Sequence, residues 1–403
     1  MSWSVIGCGG STQSVSPQPT LRSASPQPTS RSTEPVHVDM ITARTGWALK
    51  VLIIQGNYVS TLVFHTDDGG MHWKDVTPPK YTVALSSESF YNAYDLDGNT
   101  AWVLGWRSSS TPKAADTVLH TVDAGLTWQA APLPIPTDYS PIPGNDFIET
   151  NITFVDPLNG WIMLHLTQGA IPDAVAILHT MDGGKTWTKV YDDGKVVQFQ
   201  PEPSPAIPGR LPFYVNHDVT MPIFKGGISF RKTSDGWVAL VGDNDYVTHD
   251  AGHSWQQQML QPPPSLKFKN RIPFVPAFFT STDGILPVDY DPAGLVIYVT
   301  HDGGMTWHST TPVNFLGMGV FLGKFINIHH GWTTDGQFLY ETNDSGHTWT
   351  TIVPDVSFEY VLQLDFASVT IGWAIIGPDR TNPSELLKTT DGGHTWNPIQ
   401  VTQ

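Results

Sequence analysis

Hydrophobic residues in this chain fall into short runs broken by Gly, Asp, Pro, Ser and Thr, and no stretch keeps a helical period. Four such runs follow one another most clearly in the middle of the chain. Ile152-Thr153-Phe154-Val155 predicts a first strand, Trp161-Ile162-Met163-Leu164 a second, Ala174 to His179 a third, and Trp187-Thr188-Lys189-Val190 a short fourth. The polar stretch that turns the third run into the fourth is not unique to this place.

It is one copy of an eight-residue pattern that occurs seven times, with Thr first, Asp third and Trp eighth. The aspartates are Asp68, Asp123, Asp182, Asp250, Asp302, Asp344 and Asp391, and the closing tryptophans are Trp73, Trp128, Trp187, Trp255, Trp307, Trp349 and Trp396. Six copies carry Thr or Ser just before the Trp, and only His72 departs. Asp and Thr side chains can accept hydrogen bonds from turn amides, Gly at the fifth place tolerates the left-handed conformation, and Trp supplies a large apolar plate. Each copy therefore predicts a self-satisfied turn with a packing anchor.

The aspartates are spaced 42 to 68 residues apart, enough for four antiparallel strands and variable loops. A second signature precedes each turn: Gly46-Trp47, Ala101-Trp102, Gly160-Trp161, Gly236-Trp237, Gly284-Ile285, Gly331-Trp332 and Gly372-Trp373. A single four-stranded sheet leaves both faces partly bare, so seven of them gain most by stacking radially into a closed ring. Whether a terminal strand is exchanged to latch that ring stays open at this level.

The pattern resembles the BNR or Asp-box repeat of the sialidase-like propellers over roughly residues 36–401. Seven copies paired with a Gly-Trp strand are most similar to the photosystem II assembly and stability factor group, with sortilin-type and xyloglucanase-type propellers further away. The fold implied is all-β, a single seven-bladed β-propeller of four-stranded antiparallel blades with Asp-box turns. The resemblance implies either a protein-binding assembly role or, through the hydrolase relatives, cleavage of a polysaccharide or glycoconjugate. The box is a structural turn shared by enzymes and binding proteins, so the ligand must be argued from other residues. The assembly-factor group relies on a basic patch that this chain does not match.

Composition narrows the partners. A formal charge of −16 repels phosphate backbones, and no Lys/Arg cluster reverses that field, which argues against nucleic acid. Cys8 is the only cysteine, which excludes an intramolecular disulfide and a cysteine-based metal site. Val5-Ile6-Gly7-Cys8-Gly9-Gly10 resembles a bacterial lipobox, so residues 1–8 are expected to be a truncated signal remnant with Cys8 as the lipidation site. Residues 9–35 are dominated by Ser, Pro, Gln and Thr and bury too little apolar surface to offset their ordering entropy. They read as a disordered tether. The expectation is an extracytoplasmic, lipid-anchored monomer, touching membrane only through its N-terminus and needing no cofactor.

Candidate chemistry lies in the long Pro-rich links 131–150, 191–226 and 256–276. Their carboxylates Asp138, Asp146, Glu149, Glu202 and Asp218 are the catalytic candidates for a glycosidase, and Tyr139, Arg210, Tyr214 and Arg271 the binding candidates. Asn270-Arg271-Ile272-Pro273 contains the Arg-Ile-Pro of sialidases, but after the fourth box and without the preceding aromatic residue. A sialidase clamp would need three of Arg44, Arg107, Arg210, Arg231, Arg271 and Arg380. Most histidines lie within or beside the boxes, among them His65, His120 and His179, and read as repeat residues; no metal site is expected. Asp95-Leu96-Asp97-Gly98-Asn99 reads as a plain turn between the first two strands of the second blade.

Overall fold

The computed structural model describes residues 31–54, 57–79, 81–83, 93–107, 116–134, 150–165, 175–192, 208–211, 225–240, 245–264, 266–268, 270–313, 322–377 and 384–399. Among them there is no helix, and the strands form seven antiparallel blades in a ring. The third blade is Thr150–Phe154, Gly160–His165, Val175–Thr180 and Thr188–Asp192, paired in chain order, within about two residues of the runs expected from sequence. Blades one and two share a continuous sheet, because Tyr81–Val83 pairs with Thr61 of blade one and with Gly105 to Arg107 of blade two. The first strands of blades two and three, three and four, six and seven, and seven and one contact one another.

The Gly-Trp signature has a steric cause. Trp161, on the second strand of blade three, stacks on Phe230 of blade four at 3.6 Å between ring centroids and on its own strand-pairing partner His179 at 4.4 Å. Trp102 repeats this with Phe154 and His120, and Trp332 meets Phe366 at 4.0 Å. In blades three to seven a phenylalanine column stands at the end of the first strand, opposite the glycine that precedes the next Trp or, in blade five, Ile. A Cβ on Gly236 would lie 2.5 Å from the Phe230 ring. Glycine is therefore the residue that lets the ring lie flat between blades. Blade two breaks the column and its counterpart together: Asp95 replaces the phenylalanine, and Ala101, its pairing partner, replaces the glycine.

The seven boxes share one hydrogen-bond scheme. In blade five, Thr300 Oγ1 donates to Asp302 Oδ1 at 2.8 Å, Thr306 N to the same oxygen at 2.9 Å, and Thr306 Oγ1 to Oδ2 at 2.6 Å. Gly304 N closes the turn on Thr300 Oγ1 at 2.9 Å. In the first box, His72 Nδ1 lies 2.6 Å from Asp68 Oδ2 and takes the place of the missing hydroxyl. The fourth residue of each box has positive φ; it is Ala124, Ala251 and Ser345 in three blades and Gly in the rest. Those three non-glycines carry strain that the stitched carboxylate holds in place.

These donors favour the ionised carboxylates. Asp302 is pulled down to about 2, where burial pushes upward but the Thr306 hydroxyl and amide and the Thr300 hydroxyl outweigh it. Asp391 also falls to about 2, led by the amide of Thr395, and Asp182, Asp250 and Asp344 shift the same way. A carboxyl depressed by folding lends stability that is complete above its unfolded value of about 4 and lost as pH falls through its folded value. The boxes should therefore unravel cooperatively between about pH 4 and pH 2. A melting-temperature series read by circular dichroism checks this; a fall in that series confined to higher pH would contradict it.

Among the described residues, ring closure uses no exchanged strand. Blade one is Arg31–Met40, Gly46–Ile54, Asn57–Thr66 and Lys74–Asp75, and blade seven is Val361–Phe366, Gly372–Ile376, Glu385–Thr389 and Asn397–Pro398. The first strand begins at Arg31, inside the segment read from sequence as tether, because its backbone continues to pair with the second strand as far as Ile54. Across the seam, Gln363 Oε1 accepts from Val38 N and Gln363 Nε2 donates to Val38 O, both at 2.8 Å. Asp365 Oδ2 accepts from Met40 N at 2.7 Å, and Lys388 Nζ donates to Gly69 O at 2.8 Å. Side chains of blade seven thus occupy the backbone groups of blade one.

Candidate functional site

The two ends of the ring differ in kind. At one end lie the Asp boxes and the turns between first and second strands, tied together by bonds such as Gly69 N to Arg44 O and Gly183 N to Leu158 O, the latter at 2.9 Å. Antiparallel pairing sends the links between blades to the opposite end. There the chain leaves the ring at Pro132, Asp192 and Gln258 and returns at Thr150, Lys225 and Asn270. Asp138, Tyr139, Asp146, Glu149, Glu202, Tyr214 and Asp218 belong to these links and lie outside the described residues, as does Cys8.

The two remaining binding candidates are held by separate blades. Arg210 is exposed, donates through Nη2 to Asp192 O at 2.6 Å, and covers the Tyr191 ring at 5.1 Å. Arg271 sits half-buried on the first strand of blade five opposite Tyr290. It belongs to a polar nest between blades four and five, where Tyr290 and Tyr298 hydroxyls lie 2.6 Å apart, Tyr298 donates to Gln261 O at 3.1 Å, and fully buried Asp245 faces them. Burial pushes the Tyr290 hydroxyl up, while Arg271 pulls it back through charge and a hydrogen bond. Arg44 and Arg231 are at the Asp-box end, Arg44 on Asp67 O and Arg231 on Asp235 at 2.6 Å. No three-arginine clamp can be assembled from these four.

Sequence reading missed a charged cluster at the inner edge of the ring. Lys324 of blade six pairs with Asp365 of blade seven at 3.0 Å and with Asp39 of blade one at 3.4 Å. Burial opposes its ammonium charge, yet Asp365 and Asp39 outweigh burial and push Lys324 above the ordinary lysine range. Burial is also the leading effect on Asp95 of blade two, and with Asp39 and Asp365 it raises that carboxyl well above the ordinary range against the pull of Lys324. Tyr94, beside it, is pushed up to about 12 by burial and by Asp95 and Asp39, and its hydroxyl donates to Phe154 O at 2.7 Å. His37 is pushed down by burial. A signal was present: Asp39, Tyr94, Thr153, Ser229, Ala277, Lys324 and Asp365 each stand eight residues before the Trp or Ile of the second strand. Aligning the repeats on that residue collects one cation and two acids in a single column.

The turn reading of Asp95 to Asn99 divides in the structure. Asp97 Oδ1 accepts from Asn99 N and Thr100 N, both at 2.7 Å, as a turn aspartate does, whereas Asp95 ends the first strand and joins the central cluster. His65, His120 and His179 lie against Trp47, Trp102 and Trp161.

The family model for the BNR/Asp-box repeat matches residues 298–309. No curated protein matches the chain closely enough to count as a relative. Among solved structures, YCF48 from Cyanidioschyzon merolae is similar at 15% identity over 81% of this chain and 87% of that one, with a TM-score of 0.47. YCF48 bound to D1 peptide is similar at 17% identity over 79% and 84%, with a TM-score of 0.45. The GH74 xyloglucanase from Xanthomonas campestris is similar at 14% identity over 91% of this chain but 55% of that one, with a TM-score of 0.51. At such identities likeness shows fold alone. The chain is a seven-bladed β-propeller whose blades carry Asp-box turns.

Proposed function

We propose that this chain is an exported binding propeller, tethered through Cys8 outside the cytoplasm, that takes a protein or glycan partner on the face opposite its Asp boxes and performs no chemistry on it. The observation that carries this reading is the unequal character of the two ends. One end consists of near-identical turns whose polar groups are spent on one another, while the other launches links of very different length from a rigid ring. Long irregular links on a stiff scaffold are where recognition residues accumulate. The arginines add support, since those at the Asp-box end and in the blade four to five nest are engaged in holding the fold.

Export rests on the lone Cys8 followed by a Ser/Pro/Gln/Thr segment. Cys8→Ser should move the protein from the membrane fraction to the soluble one, and continued membrane retention would remove the anchor from the proposal. For the partner, the full chain is applied to a glycan array and incubated with a panel of chromogenic glycosides. Saturable glycan binding without chromophore release is expected for a glycan partner, and a silent array with no turnover directs the reading to a protein. Chromophore release that disappears on replacing Asp138, Asp146, Glu149, Glu202 or Asp218 would establish a glycoside hydrolase instead.

A further inference from the structure

The seam between blades seven and one is closed by side chains, and the same place gathers charge from two further blades. Asp39, Asp95 and Asp365 bring three carboxyl groups to one ammonium, Lys324. Asp365 Oδ2 accepts from Met40 N, and its Oδ1, which has no hydrogen bond among the described residues, is paired in charge with Lys324 Nζ at 3.0 Å. Asp95 Oδ2 is enclosed and has no hydrogen-bond partner among the described residues. It also stands in the column where five other blades place a phenylalanine and blade one Met40. A buried carboxyl in an apolar column costs stability, and such departures mark positions retained for something other than packing.

We propose that the Lys324, Asp365, Asp39 and Asp95 cluster is a proton-operated clasp on the ring: closed while Asp95 holds its proton, and loosened at the junction of blades seven, one and two when that proton leaves. The inference is independent of which partner the ring binds. The charged and titratable groups that act on Asp95 are Asp39 from blade one, Tyr94 from its own strand, Lys324 from blade six and Asp365 from blade seven, with His37 of blade one beside Asp39 and Lys324. Lys324 stays protonated under the pull of Asp365 and Asp39, burial disfavours the charged form of His37, and burial also raises Asp365 against the pull of Lys324. With Asp95 ionised, one lysine faces three carboxylates in an enclosed space.

The sign follows from linkage. The carboxyl of Asp95 is raised in the closed ring and ordinary, about 4, once opened to water. The closed form therefore binds the proton more tightly and loses ground as pH rises from about 4 to the raised value, by about tenfold in the opening equilibrium per pH unit.

Amide hydrogen exchange of the full chain, corrected for intrinsic rates between pH 4.5 and 9, reads this opening. Corrected exchange in Arg31–Met40 and Val361–Phe366 should rise with pH while Gly160–His165 in blade three stays level. Asp95→Asn should flatten the response. Asp39→Asn removes a charge that raises Asp95 and should move the midpoint to lower pH; Lys324→Met removes one that lowers it and should move the midpoint up. A response that survives Asp95→Asn, that is equal in all blades, or that shifts the same way in both charge variants would overturn the clasp. Asp39→Asn keeps the test decisive if either other variant fails to fold.

Discussion

Trp161→Ala should destabilise the protein by about 3–5 kcal/mol, the range for removing a fully buried large aromatic residue. The indole is enclosed on both sides, by Phe230 at 3.6 Å and His179 at 4.4 Å, and Trp161 has no exposed surface. Its Nε1 also donates to Ala251 O of the next blade at 3.0 Å, so truncation leaves that carbonyl short of a partner as well as leaving a void. Urea unfolding followed by tryptophan fluorescence measures the loss. A change below about 1 kcal/mol, typical of surface substitutions, would mean that the blade interface does not depend on this plate.

Gly236→Ala should lower stability by about 1–3 kcal/mol, the usual cost of overpacking. The sign is the informative part. Glycine inside a strand ordinarily costs about 0.5–1 kcal/mol relative to alanine, so the same substitution elsewhere in a sheet would help. Here the new methyl would meet the Phe230 ring at 2.5 Å, and that ring is already pinned under Trp161. Combining Gly236→Ala with Phe230→Ala should therefore cost less than the two single changes added together. Strict additivity in that cycle would show that the glycine serves some other purpose. Blade two already contains the natural form of the double change, with Asp95 and Ala101 in these two places.

Much of the architecture could be read before any coordinates. The boxes, the Gly-Trp steps and the four strands of blade three were visible as short-range patterns, and the hydrogen bonds that realise the boxes join residues two or four apart. Even the phenylalanine column was legible, seven residues ahead of the second-strand Trp or Ile in five of the seven repeats, once these are aligned. The candidate carboxylates were chosen from loop length alone, a criterion that carries no information about which side chains meet, and they fall outside the described residues.

Sequence by itself determined that the chain makes seven similar sheets, because each box turn and each strand pair is satisfied by near neighbours along the chain. The tertiary structure alone decided how the ring closes and that Lys324 meets Asp39 and Asp365. Val38 and Gln363 are 325 positions apart, as are Met40 and Asp365, and Lys324 and Asp39 are 285 apart. Contacts of that span exist only when the wedge angles of seven sheets sum to a full turn, a condition no local pattern of residues can express.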